Sequence, residues 1–190
     1  MGAEVSGFEL AQWQDAALAI EADLIELTST LTEAQFHASP RAGGWSIGLC
    51  LEHLILTGHA LLADWDAALR SAKPAALTAE CMRPYPWWRR MLLQYAENPH
   101  KLKLRASTPA IPYLRRSIKT TMEAFFETHQ GMARRAADAA VADVYHARVR
   151  FPPVEWLRHP LDFTLDLALA HERRHMRQAW AVRRLLVDGG

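Results

Sequence analysis

The sequence predicts an all-α fold, a four-helix bundle with one long crossover between the second and third helices. Apolar residues recur at intervals of three and four along four long stretches, which is the spacing of one helix face. Strand-like alternation is nearly absent, and its best candidate is the short piece from Tyr145 to Phe151. Prolines at positions 74, 84, 86, 99, 109 and 112 separate the second stretch from the third. Four long amphipathic helices with one long connection are typical of a bundle.

The first helix is predicted from about Phe8 to Gln35. Glycines at positions 43 and 44 end this pattern, and Ser46 is well suited to cap a second helix that ends near Arg70. The apolar stripe of the first helix consists of Trp13, Ala17, Ile20, Leu24, Leu27 and Leu31.

The third helix is predicted to begin at Thr108 and Pro109 and to run to about Ala140, because proline is favoured in the first helical turn. Residues 71–107 then form an extended crossover loop with short helical pieces. The fourth helix is predicted from about Leu161 to Val187, after prolines at positions 152, 153 and 160.

Length and composition predict a single domain over residues 1–190, since 190 residues with 50% hydrophobic content can bury a sizeable core. The net charge of +1 offers no field that would attract nucleic acid or an anionic membrane, so a small-molecule partner is expected. Only Cys50 and Cys81 are present, which argues against a disulfide framework. With neither a signal-peptide pattern nor a membrane-spanning apolar run, we expect a soluble, cytoplasmic protein.

Two histidines near the C-terminus, His171 and His175, are four residues apart in an apolar, proline-free stretch. On a helix this spacing leaves the imidazoles about 40° apart around the axis and roughly 6 Å apart at Cβ, close enough to bind one metal ion. Two imidazoles alone bind a divalent metal weakly, and a catalytic site usually has three protein ligands and one open position. The sequence therefore predicts a third ligand elsewhere in the bundle.

His53 is the first candidate for that ligand, since it lies in the middle of the second helix on an apolar face. His59, six residues later, lies about 120° around the helix from His53 and is placed outside the ligand set. His129, on the third helix, is a reserve candidate. The apolar neighbours of His53 are Leu49, Cys50, Leu56 and Ala60.

Three segments together resemble the DinB-like (YfiT-like) metal-binding superfamily: Gly44-Trp45-Ser46-Ile47, Glu52-His53-Leu54, and Ala170-His171-Glu172-Arg173-Arg174-His175. The resemblance implies an up-down-down-up four-helix bundle and the metal ligands His53, His171 and His175. It also implies a hydrolase, or a transferase or isomerase that uses a low-molecular-weight thiol such as bacillithiol or mycothiol. For three nitrogen ligands, zinc or nickel is favoured, and iron and manganese stay open.

Other interpretations of the same residues stay open. His171-Glu172-Arg173-Arg174-His175 also matches the H-E-x-x-H motif of zincin metalloproteases, in which Glu172 polarises the attacking water, but residues 176–190 contain no His or Glu for a third ligand. Glu172 is the candidate general base, or else a solvated or paired carboxylate. The chain is alternatively a non-catalytic metal-binding or stress-related protein, or a purely structural bundle. A homodimer is expected in any of these cases.

Overall fold

The computed structural model describes residues 8–40, 44–75, 85–98, 115–150 and 157–188. Four long helices of this part of the chain form a four-helix bundle, which confirms the predicted fold class. The helices are α1 (Leu10–Thr28), α2 (Glu33–His37), α3 (Ile47–Ser71), α4 (Trp87–Glu97), α5 (Ile118–Ala139) and α6 (Leu161–Arg183), and the strands are β1 (Arg148–Arg150) and β2 (Arg158–Pro160). A π-helical turn, Arg184–Asp188, extends α6.

Helices α1 and α6 run in the same direction. Near the start of both, the Trp13 indole nitrogen donates to the carbonyl oxygen of Leu165 at 3.1 Å. Toward the end of both, the indole of Trp180 donates to Asp23 at 2.8 Å. Early residues of one helix therefore contact early residues of the other.

Helix α3 runs opposite to α6, because His53 near its start contacts His171 and Trp65 near its end donates to Thr164. Helices α3 and α5 run in the same direction and approach closely at Gly58. These contacts place α3 next to both α5 and α6.

Helix α3 is also long and apolar enough to cross a membrane, with a mean hydropathy of 1.3 in its most apolar window. In the bundle 56% of that window is buried, which is the burial that a core helix acquires by packing against its neighbours. Ser46 caps this helix as predicted, since its hydroxyl accepts from the Leu49 amide at 3.2 Å.

The prediction of one continuous first helix to Gln35 is wrong. Helix α1 ends at Thr28, and the five-residue helix α2 begins at Glu33. The break is stabilised by a capping box, in which the Thr32 hydroxyl accepts from the Gln35 amide at 3.3 Å and the Gln35 side chain accepts from the Thr32 amide at 2.9 Å.

The predicted start of the third helix is also wrong. Thr108 and Pro109 lie outside the described residues, but residues 115–117 are not helical and α5 begins at Ile118. Ser117 is the cap, because its hydroxyl accepts from the Thr120 amide at 3.2 Å. The fourth helix begins at Leu161 as predicted, and the expected strand piece contains β1, which pairs antiparallel with β2.

Within the predicted crossover, α4 packs on the outer side of α6. The hydroxyl of buried Tyr85 donates to Asp166 at 2.8 Å at one end of α4, and at the other end Glu97 pairs with Arg173 and Arg177. This side of α6 is opposite to the one that carries His171 and His175, since the two sets are about 120–180° apart around the helix axis.

Gly58→Ala is expected to lower the free energy of unfolding by about 1 kcal/mol, although alanine is the better helix former. A Cβ at this position would lie 2.5 Å from Cγ2 of Thr128, whose hydroxyl is bonded to the Ala124 carbonyl. Gly131→Ala is the matched control, since its Cβ would meet only the flexible end of Leu62 at 3.0 Å. Urea unfolding of both variants checks this, and equal stability of the two would contradict it.

Candidate metal centre

Three imidazoles converge between α3 and α6. His53 comes from the first half of α3, and His171 and His175 come from successive turns of α6. Because the two helices are antiparallel neighbours, the middle of α6 lies beside the first half of α3. His53 and His175 are buried, and His171 is half-buried.

The nitrogen atoms of the three rings are close enough to share one ion. One ring nitrogen from each residue lies within 4.8 Å of the other two. The Nε2 atoms of His53 and His171 are 3.2 Å apart. The ring centroid of His175 is 4.5 Å from that of His53 and 4.6 Å from that of His171.

The environment keeps His171 and His175 in the neutral form that binds metals. Burial, with the adjacent His53 and Arg174, lowers the pKa of His171 to about 3. Burial and the neighbouring histidines lower the pKa of His175 to about 2. At neutral pH these imidazoles therefore present lone pairs and no charge.

The cluster fits a divalent metal ion by its donor chemistry. Nδ1 of His175 is buried and has no hydrogen-bond partner in the part of the chain that the structure describes. Buried polar atoms are usually satisfied, so an unsatisfied nitrogen beside two other imidazoles indicates that the cluster is built for a ligand. Three imidazole nitrogens suit a transition-metal ion better than calcium or magnesium, which prefer oxygen.

Glu172 does not join the three imidazoles. Its carboxylate is buried on another side of α6, where Oε2 lies 3.2 Å from Nε2 of His129. The other nitrogen of that ring, Nδ1, lies 2.8 Å from Oε1 of Glu21. The structure therefore places the candidate general base in a paired position, and it places His129, the reserve ligand, between two carboxylates and outside the cluster.

The His129 ring carries a positive charge at neutral pH. Burial acts to lower the pKa of His129, but hydrogen bonds and charges from Glu172 and Glu21 outweigh it and raise the pKa to about 9. This Glu21-His129-Glu172 triad, in which His129 and Glu172 are buried and Glu21 is half-buried, joins α1, α5 and α6. Sequence reasoning missed it, because the triad joins residues far apart in the sequence and depends on how α1, α5 and α6 pack.

His59 lies outside the cluster, as expected from its position on the helix. It is exposed, and its Nε2 lies 3.0 Å from the hydroxyl of Thr128 on α5. The third imidazole comes from upstream, on α3, and this arrangement differs from the zincin pattern, in which the third ligand follows the motif.

Residues 17–179 match the DinB superfamily, and all three clustered histidines lie within this range. The chain belongs to the DinB superfamily. A solved structure with the same fold is that of YfiT from Bacillus subtilis, with a TM-score of 0.57 and 18% sequence identity over 92% of this chain and 86% of YfiT. YfiT is described as a probable metal-dependent hydrolase with an unusual four-helix bundle topology. A search of curated protein sequences gave no significant match.

Proposed function

We propose that this DinB-superfamily protein is a metal-dependent enzyme that acts on a small molecule, as a hydrolase or a thiol-dependent transferase. The observation that carries the proposal is the convergence of His53, His171 and His175, with one nitrogen of each within 4.8 Å of the others. These residues would hold the ion. Zinc and nickel are the favoured ions for three imidazoles, and iron and manganese are the alternatives.

A divalent ion held by three neutral imidazoles keeps its full charge and supplies Lewis acidity, with a coordination position left for an exogenous molecule. The protein must present the imidazole nitrogens in their unprotonated form. The low pKa values of His171 and His175 keep both rings unprotonated across the physiological pH range. The net charge of +1 supports a small partner rather than a polyanion such as nucleic acid.

Hydrolysis is supported by the similarity to YfiT, and thiol transfer by the wider DinB-like resemblance of the sequence. Glu172 is the expected general base in the sequence-based hypothesis. Its pairing with His129 supports a structural role instead, because a base must reach the reacting group. We propose that catalysis depends on the metal ligands and not on Glu172.

The test is to strip the purified protein with a chelator, reload it with zinc, nickel, manganese or iron, and assay each form. Ester and amide hydrolysis and conjugation of a low-molecular-weight thiol are measured side by side. We expect one ion to restore an activity that His53→Ala lacks and His59→Ala retains. Tight metal binding without turnover in either assay would contradict the enzyme proposal and favour a non-catalytic metal-binding protein.

A further inference from the structure

We propose that Trp45 is a positioning residue for the candidate metal centre. Its indole ring contacts His53 on α3 and His175 on α6, and it holds both imidazoles in the orientation that a shared ion requires. This inference rests on the proposed metal-dependent function, and it assigns a role to a residue that is not itself a ligand.

The ring geometry carries the inference. The centroid of the Trp45 ring lies 5.0 Å from that of His53, with the planes tilted by 55°. It lies 5.7 Å from that of His175, with the planes only 21° from parallel, which is a stacked arrangement. One indole therefore limits the motion of two ligands that belong to different helices.

The backbone next to Trp45 is fixed by the start of α3. Buried Ser46 accepts from the Leu49 amide through its hydroxyl at 3.2 Å and from the Cys50 amide through its carbonyl at 3.1 Å. The half-buried indole packs against the main hydrophobic core. Because both its backbone and its ring are held, Trp45 forms a rigid side of the cluster.

Rigidity at this point matters because the outer torsion of histidine is broad and roughly two-fold. A free imidazole of His175 can turn either ring nitrogen, or neither, toward a shared centre. A stacked indole restricts that rotation before the ion arrives, so less conformational freedom is lost on binding. Aromatic pairs of this kind also stabilise their geometry beyond the area they bury.

Cobalt(II) is a suitable probe, since its visible absorption reports the geometry of its ligands. We expect Trp45→Leu to weaken cobalt binding about tenfold, equivalent to about 1.4 kcal/mol, and to change the absorption spectrum. Trp45→Phe keeps an aromatic ring and is expected to stay within about threefold of the unmodified protein.

Trp180→Leu is the matched control. Trp180 is also half-buried, but it donates to Asp23 and lies under Arg183, away from the three imidazoles. Thermal unfolding of the metal-free proteins measures the loss of packing in both leucine variants. Only Trp45→Leu is expected to lose cobalt affinity.

A second readout uses the fluorescence of the seven tryptophans. Nickel or copper bound at the cluster is expected to quench Trp45 most, so Trp45→Phe should bind the ion and lose most of the quenching. This measurement tests whether Trp45 lies beside the bound ion, which the proposed role requires, even if Trp45→Leu fails to fold.

The outcomes separate the two proposals. No cobalt binding by the unmodified protein overturns the metal centre and this inference together. Normal binding with an unchanged affinity and spectrum in Trp45→Leu, equal losses in Trp45→Leu and Trp180→Leu, or undiminished quenching in Trp45→Phe each overturns the role of Trp45 alone.

Discussion

His171→Ala is expected to abolish stoichiometric metal binding. The variant keeps only two imidazoles, and these hold a divalent ion weakly. We expect affinity for zinc to fall by more than about a hundredfold, beyond the ten- to hundredfold loss that follows changes to residues behind the ligands. Elemental analysis after purification and equilibrium dialysis against zinc measure this directly.

His59→Ala is the control for that experiment. It removes an imidazole from α3, the helix that carries His53, but its contact is with Thr128 on α5. We expect metal content and affinity of this variant to equal those of the unmodified protein. If unmodified protein and His171→Ala retain the same amount of metal, the ligand assignment is wrong.

The helix positions that the sequence predicts well are those that local patterns determine. Ser46 followed by a long apolar stripe is a local signal, and the structure begins α3 at the next residue. The break between α1 and α2 depends on a reciprocal pair, Thr32 and Gln35, inside a pattern that remained periodic as far as Leu31. The capping box starts a new helix at Glu33 although the apolar spacing continues, and the spacing alone therefore predicts one helix where the structure has two.

In the candidate site too, the residues that local patterns determine were predictable, and the contacts that depend on packing were not. The pair His171 and His175 follows from helical geometry alone, and His53 follows from its apolar face. The pairing of His129 joins residues 108 positions apart, between Glu21 and His129, and 43 apart, between His129 and Glu172. No local pattern encodes such a contact, because it depends on how α1, α5 and α6 pack.

The ring contacts of Trp45 were unpredictable for a similar reason. The sequence places Trp45 just before the cap of α3, and only the packing of α6 against α3 brings His175 beside its indole. The sequence therefore predicts the three histidines that cluster in the structure, but not the indole ring that contacts two of them.

His129→Leu is expected to lower the free energy of unfolding of the metal-free protein by about 3–5 kcal/mol. The substitution leaves the buried carboxylate of Glu172, and with it Glu21, without their shared cationic partner. The pair of exposed His146 and half-buried Asp143 provides the control, since the His146 side chain is 63% exposed whereas that of His129 is 2% exposed. His146→Leu is expected to change stability by no more than about 0.5 kcal/mol. Urea unfolding measures both.

The same triad gives the stability a definite pH dependence. The pKa of His129 is raised to about 9 in the folded protein, against about 6.5 for an unperturbed histidine in the unfolded chain. Its contribution is therefore fully present below about pH 6.5 and is lost as the pH rises toward 9, by up to about 3 kcal/mol. Other groups titrate in this range, so the informative quantity is the difference between the unmodified protein and His129→Leu at each pH. That difference should shrink between pH 6.5 and 9, and a constant or growing difference would show that His129 is not charged in the folded protein.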